Sequence, residues 1–205
     1  MRPLRVAIFA SGTGSNARTL IEKAQALGET LEISFVLSDK ATAPVLKKAE
    51  ELGVRTYLVE KKLDRQNHEQ AILNILREHR IDWIFLAGYM RLLSGTFLRQ
   101  FALWHGDASQ IVNIHPSLLP AYPGAEAIAR AYQDRVSHTG VTVHFVDEGM
   151  DTGKIIHQEA LSLSPEASLA DWKEMIHRLE HRMYSNFLES LSLGQQKTFY
   201  FEENQ

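Results

Sequence analysis

Short apolar runs separated by amphipathic stretches recur along most of this chain, and that rhythm restricts the fold more than any other feature. Strand candidates lie at Leu4–Ala10, Leu31–Leu37, Arg55–Val59, Trp83–Ala87 and Gln110–Ile114. Helix candidates fall between them, near Asn16–Leu27, Ala43–Leu52, Gln66–His79 and Ser94–Phe101. In the third of these, Ala71, Ile72, Ile75 and Leu76 make one apolar stripe at helical spacing. Repetition of strand and helix builds a parallel sheet with right-handed crossovers. The last third breaks the rhythm. Gly140–Val146 alternates Val141, Val143 and Phe145 with Thr142 and His144, and Lys154–Ala160 is a further strand candidate. These two read as an antiparallel addition. A long helix over Leu169–Leu191 follows, with Trp172, Met175, Ile176, Leu179, Met183 and Phe187 on one side. The expected fold is α/β: a mostly parallel open sheet with an antiparallel C-terminal addition and a long C-terminal helix. With no repeats, low-complexity tracts or linker-like shifts, residues 1–205 read as a single domain.

A length of 205 residues with 44% hydrophobic and 23% charged residues suits one globular core. The net charge of −3 offers no basic face for nucleic acid. The absence of cysteine removes disulfides, thiol nucleophiles and Cys-ligated metals. No apolar run approaches a membrane span, and the N-terminal apolar stretch reads as a buried strand and not as a signal segment. A cytoplasmic protein without membrane or nucleic-acid partners is the expectation.

Two motifs carry chemistry. Ser11-Gly12-Thr13-Gly14-Ser15-Asn16 follows the first strand and opens a helix. Its glycines let backbone approach an anion, and a helix N-terminus offers free N–H groups to it; Ser15 or Asn16 could instead simply cap the helix. The same stretch matches a dinucleotide fingerprint, Gly12-x-Gly14-x-x-Ala17 with Asp39 further on, but a second nucleotide-binding half is missing. The other motif is Asn113-Ile114-His115-Pro116-Ser117-Leu118-Leu119-Pro120. Asn113 and His115, two apart on a strand, share a face at its carboxyl end, where open α/β sheets bind ligands. Pro116, Pro120 and Pro123 stop the strand and stiffen the loop. Asp151 lies in a turn between strand candidates. His177-Arg178-Leu179-Glu180-His181 fits an H-x-x-E-H zinc pattern, but lacks a further histidine and reads better as a polar helix face.

These residues, with Leu86-Ala87-Gly88-Tyr89-Met90-Arg91-Leu92-Leu93-Ser94 and Asp151-Thr152-Gly153, resemble the phosphoribosylglycinamide formyltransferase family, in order along nearly the whole chain. The resemblance implies a Rossmann-like formyltransferase fold. It implies transfer of a formyl group from 10-formyltetrahydrofolate, a cosubstrate, to glycinamide ribonucleotide in purine biosynthesis, without a metal. Gly14, Ser15, Asn16 and Glu180 would hold the ribonucleotide. Arg65, Met90, Arg91, Leu92, Leu93, Asn113, Asp147 and Asp151 would contact the formyl-folate. Asn113, His115 and Asp151 would be the catalytic trio, acting in a monomer or homodimer.

The Asn113 amide and a protonated His115 would stabilise the oxygen of a tetrahedral intermediate, with Asp151 favouring the imidazolium. Two departures stand out. Gly124-Ala125-Glu126 replaces the Gly-x-His common in the family, removing a helper histidine. Trp104-His105-Gly106-Asp107 lengthens the stretch before Gln110, and a surface change without chemical consequence is expected there. Methionyl-tRNA formyltransferase and formyltetrahydrofolate hydrolase share the central motif. The first adds a basic RNA-binding domain and the second a regulatory domain, and neither is expected here. A non-catalytic folate- or nucleotide-binding module is the remaining alternative.

Overall fold

The computed structural model describes residues 2–61, 64–164 and 166–194. Seven strands form one sheet: β1 (Leu4–Phe9), β2 (Leu31–Ser38), β3 (Thr56–Leu58), β4 (Trp83–Leu86), β5 (Ile111–His115), β6 (His138–Phe145) and β7 (Ile155–Ser162). Their order is β3-β2-β1-β4-β5-β6-β7. The first five are parallel, and β6 and β7 add on antiparallel. Six helices accompany them: α1 (Ser15–Leu27), α2 (Pro44–Glu51), α3 (Arg65–Glu78), α4 (Gly95–Leu103), α5 (Ala127–Gln133) and α6 (Leu169–Ser192). Among the described residues no helix is long and apolar enough to cross a membrane.

The unbroken apolar runs have their explanation in two cores. Along β1, Val6 and Ile8 pack toward α1 and α6, while Ala7 and Phe9 pack toward α3 and α4. A strand covered on both faces has no polar positions to alternate. The edge strand β3 is shorter than its apolar run, although Arg55 and Val59 still bond β2 through Val36 N to Arg55 O and Val59 N to Ser38 O. Helix α5 is absent from the sequence expectation. It is short, and buries only Ala127, Ile128 and Ala131, too small a stripe to stand out. On α6 the buried stripe runs through Trp172, Ile176, Leu179, Met183 and Phe187. Met175, expected on that stripe, is 39% exposed at its margin.

The chain crosses from β1 toward β2 and from β4 toward β5, so connections leave these two neighbours in opposite directions. A crevice opens at their carboxyl ends. Helix α6 is tied to its floor: the buried Tyr184 hydroxyl, one turn beyond Glu180, lies 3.0 Å from Leu86 O and 3.2 Å from Val112 O. The 104–107 segment sits at the other end of the sheet. His105 lies 2.9 Å from Phe101 O and 3.1 Å from Ile81 O, and Arg77 stacks on Trp104, so this segment closes α4 against α3 away from the crevice.

Candidate active site

The crevice is a cleft of about 540 Å³, within the range that buries a small organic ligand. Its first wall is the glycine loop. Gly14 takes φ 78°, and a Cβ there would lie 2.5 Å from Val45 Cγ2, so glycine is required. Gly14 is also the residue before α1, which has no side-chain cap. Neither Ser15 nor Asn16 caps the helix, and both line the cleft at a helix start whose first-turn N–H groups have no intrahelical partner. Asn16 instead turns toward α6, with Nδ2 3.5 Å from Glu180 Oε1, and its buried Oδ1 has no protein partner. Glu180 Oε2 lies 2.6 Å from His177 Nδ1, and this bond raises the His177 pKa against the opposing effects of burial and Lys173. Among the described residues no cluster of three or more His, Asp or Glu could hold a metal ion.

The cleft's centre is the carboxyl end of β5. Asn113 and His115 line it together, as their spacing predicts. The Pro-rich loop beyond them is held by hydrogen bonds as well as by ring stiffness. Thr142 Oγ1 donates to Ser117 O at 2.7 Å and accepts from Leu119 N, and Gln158 Nε2 donates to Leu119 O at 3.0 Å. The turn after β6 folds back to bring Asp151 over the strand end. Asp151 sits at φ 56°, a conformation costing on the order of 1 kcal/mol for a residue with a side chain, and it stays there because its carboxylate is held on several sides. Oδ2 accepts from Gly124 N at 2.7 Å and lies 3.3 Å from His115 Nδ1. Oδ1 accepts from Asn113 Nδ2 at 3.2 Å. Burial alone would raise the Asp151 pKa; hydrogen bonding by His144 and Gly124 and the charge of His115 outweigh it and hold the carboxyl below its usual value.

His115 Nε2 faces Tyr122 O at 2.8 Å while Nδ1 faces Asp151. The imidazolium alone donates at both nitrogens. His144 was not singled out from the sequence, where it reads as one polar residue in the β6 alternation. It pairs directly across from Asn113 in the β5–β6 ladder. Its Nδ1 lies 2.8 Å from Phe145 O, and its Nε2 lies 3.1 Å from Asn113 Nδ2 and 3.5 Å from Asp151 Oδ1. His144 Nε2 thus stands between the Asn113 amide and the Asp151 carboxylate. Glu126 precedes α5 at φ 57° and lines the cleft.

The second wall is the segment after β4. Met90, Arg91, Leu92 and Leu93 line it, with Met90 67% and Leu92 49% exposed. Met150 and Asp147 face them from the β6–β7 turn. Asp147 also shapes that turn, its Oδ1 accepting from Gly149 N at 3.0 Å and Thr152 Oγ1 at 2.8 Å. Arg65 is the one expected contact outside the lining. It stands behind the wall, donating to Leu92 O at 2.8 Å and to Glu69 at 3.1 Å.

The chain that builds this cleft matches the sequence profile of the formyl transferases over residues 4–188. The chain belongs to the formyl transferase family. It is 38% identical over 189 residues to a phosphoribosylglycinamide formyltransferase of Bacillus subtilis, covering 91% of this chain and 94% of that one. It is 39% identical over 192 residues to the Homo sapiens trifunctional purine biosynthetic protein adenosine-3, spanning 93% of this chain but 18% of that much longer protein. The crystal structure of glycinamide ribonucleotide transformylase 1 from Geobacillus kaustophilus superposes with a TM-score of 0.84 at 40% identity, covering 93% of this chain and 99% of that one. The formyl transferase fold therefore extends over nearly all the described residues.

Proposed function

We propose that this formyl transferase moves the formyl group of 10-formyltetrahydrofolate onto the amine of N1-(5-phosphoribosyl)glycinamide, in the purine (IMP) pathway, by direct attack of the amine. The observation that carries this is the continuity of one cleft from the uncapped α1 N-terminus to Asn113, His115 and Asp151. Gly14, Ser15 and Asn16 bind the phosphate through backbone N–H groups, and Asn16 and Glu180 take the ribose. The apolar surface of Met90, Leu92, Leu93 and Met150 fits a flat aromatic cosubstrate, with Arg91, Asp147 and Asn113 as polar contacts and Arg65 behind the wall.

Bound formyl-folate supplies a formyl carbon attached to a nitrogen that can leave. The chain's own groups do the rest. Negative charge gathers on the formyl oxygen as the amine adds, and Asn113 Nδ2 and His115 are the donors within reach of it. Asn113 Nδ2 already donates to Asp151 Oδ1, so the formyl oxygen takes its remaining N–H or draws this one away. The ionised Asp151 holds the imidazolium of His115 beside the reacting carbon; His115 delivers its proton to the departing nitrogen and takes up the one the added amine loses, so the ring ends the turnover protonated as it began. The trio offers no serine or thiol for a covalent formyl-enzyme. On this reading the protein is cytoplasmic, a monomer or homodimer, and acts on two small molecules with neither nucleic acid nor membrane as partner.

The experiment is to mix the protein with ribonucleotide and 10-formyltetrahydrofolate and follow deformylated folate by absorbance. Release dependent on ribonucleotide is expected. Release without it would make the protein a hydrolase, and tight binding without release would make it a binding module.

A further inference from the structure

Two carboxylate residues fall among the buried residues of the described chain, Glu180 and Glu69. Glu180 lines the cleft. Glu69, 7% exposed on α3, does not, and the chemistry above makes no use of it. Burying a carboxylate is costly unless donors surround it, and Glu69 has them. Oε1 accepts from Ser94 N at 2.9 Å and from Arg65 Nε at 3.1 Å, and Oε2 accepts from the Ser94 hydroxyl. Ser94 in turn caps α4 by accepting from Phe97 N at 3.1 Å. The other arm of Arg65 donates to Leu92 O. One side chain on α3 thereby grips both the residue that ends the apolar wall and, through Arg65, the carbonyl in its middle.

A helix cap does not need this. The Ser94 hydroxyl caps α4 by itself, and an apolar residue at position 69 would join α3 to α4 at less desolvation cost. What the carboxylate adds is a fixed position for residues 91–93, which lie outside every strand and helix, and for Ser94, which joins them to α4. The upstream end of the same segment is pinned separately: Met90 N donates to Ser11 Oγ at 3.1 Å, and Ser11 Oγ donates to Asp39 at 2.6 Å.

We propose that Glu69 is a positioning residue for the formyl donor: through Ser94 and Arg65 it sets where Arg91, Leu92 and Leu93 stand, and so how deeply the flat cosubstrate seats against them. This rests on the reading that this wall takes the formyl-folate. It predicts a discriminating signature. In Glu69→Gln the charge that holds Arg65 is gone and an NH2 confronts donors. KM for 10-formyltetrahydrofolate should rise by about tenfold or more, in line with the cost of small misplacements, while KM for the ribonucleotide stays unchanged and kcat stays within about twofold. Backbone amides of residues 91–94 should exchange with solvent faster than in the unmodified protein. Arg65→Met, a change at a half-exposed surface position that keeps the fold intact, should reproduce the same shift through the Leu92 arm alone. A double variant should be no worse than the poorer single one. Equal KM values in both variants, or a rise for both substrates together, would overturn the proposal, reducing Glu69 to a structural brace. Should the unmodified protein show no ribonucleotide-dependent release, the functional reading fails first, and that result is separate from any change in Glu69→Gln.

Discussion

The two walls of the cleft flank the same switch point, yet they are built by opposite means. The glycine loop is shaped by its own backbone and by the start of α2. Gly14 turns the chain, Arg18 N bonds back to Gly14 O at 2.9 Å, and the neighbouring α2 reaches in through Val45 N to Gly12 O and Lys48 Nζ to Thr13 O. On the proposed reading its ligand-binding groups are backbone N–H groups, which no substitution of a side chain removes. The 88–94 wall is held by side chains far away in sequence, Ser11 and Asp39 at one end and Arg65 and Glu69 at the other. A wall of the first kind suits an invariant phosphate. The second kind can shift by a few tenths of an ångström when its supports change, which suits a large ring system that needs apolar fit more than fixed charge.

The largest effects belong to neither wall but to the cluster between them. His115→Ala, Asn113→Ala and Asp151→Ala should each lower turnover by roughly two to three orders of magnitude, the measured scale for losing one donor to a developing oxyanion. Each variant should still bind both substrates, because both walls remain, and isothermal titration with each substrate checks this. The lowered pKa of Asp151 keeps it ionised throughout pH 6 to 9. An Asp151→Ala protein with full activity across that range would remove it from the chemistry.

Next in size is a test that acts on one wall alone. Gly14→Ala forces a side chain into the left-handed region and against Val45, whereas a Cβ at Gly12 meets nothing within 4 Å. Gly14→Ala should lose about 1–3 kcal/mol of stability and raise KM for the ribonucleotide more than for the folate. Gly12→Ala should be nearly silent in thermal unfolding. If the two variants behaved alike, the turn would not be set by local backbone geometry, and the contrast between the walls would collapse.

That contrast also explains what could be read in the chain before its coordinates. Four of the five parallel strands announce themselves because β1, β2, β4 and β5 are covered on both faces. The glycine loop is legible because a left-handed turn demands glycine at a defined offset from a strand. Asn113 and His115 are legible because a two-residue spacing guarantees a common face. His144 is not, since its place beside Asn113 depends on the register between β5 and β6, which no local pattern encodes. Glu69 is hidden for a related reason: it lies on an ordinary amphipathic helix, and its partner Ser94 is a loop residue beyond β4. Arg65 was legible as a cleft residue by resemblance, and the structure puts it one layer further out, as a support.

The smallest expected effect is a pH dependence at the ribonucleotide end. The His177–Glu180 hydrogen bond favours the charged imidazole and raises its pKa above the usual value of about 6.5. Folded protein therefore holds this proton more tightly than unfolded chain. The stability gained is complete below about pH 6.5 and is lost as pH climbs through the higher folded value. Half of the His177 side chain is exposed, and solvent screening limits the gain to about 0.5 kcal/mol. His177→Gln should flatten the stability profile on the alkaline side of pH 6.5 and leave its slope at the acid end of the range unchanged. Unfolding midpoints in urea measured from pH 5 to 9 would show it. A variant whose midpoint tracked the parent at every pH would mean that Glu180 is free of His177 in solution, with both oxygens open to Asn16 and the ribose.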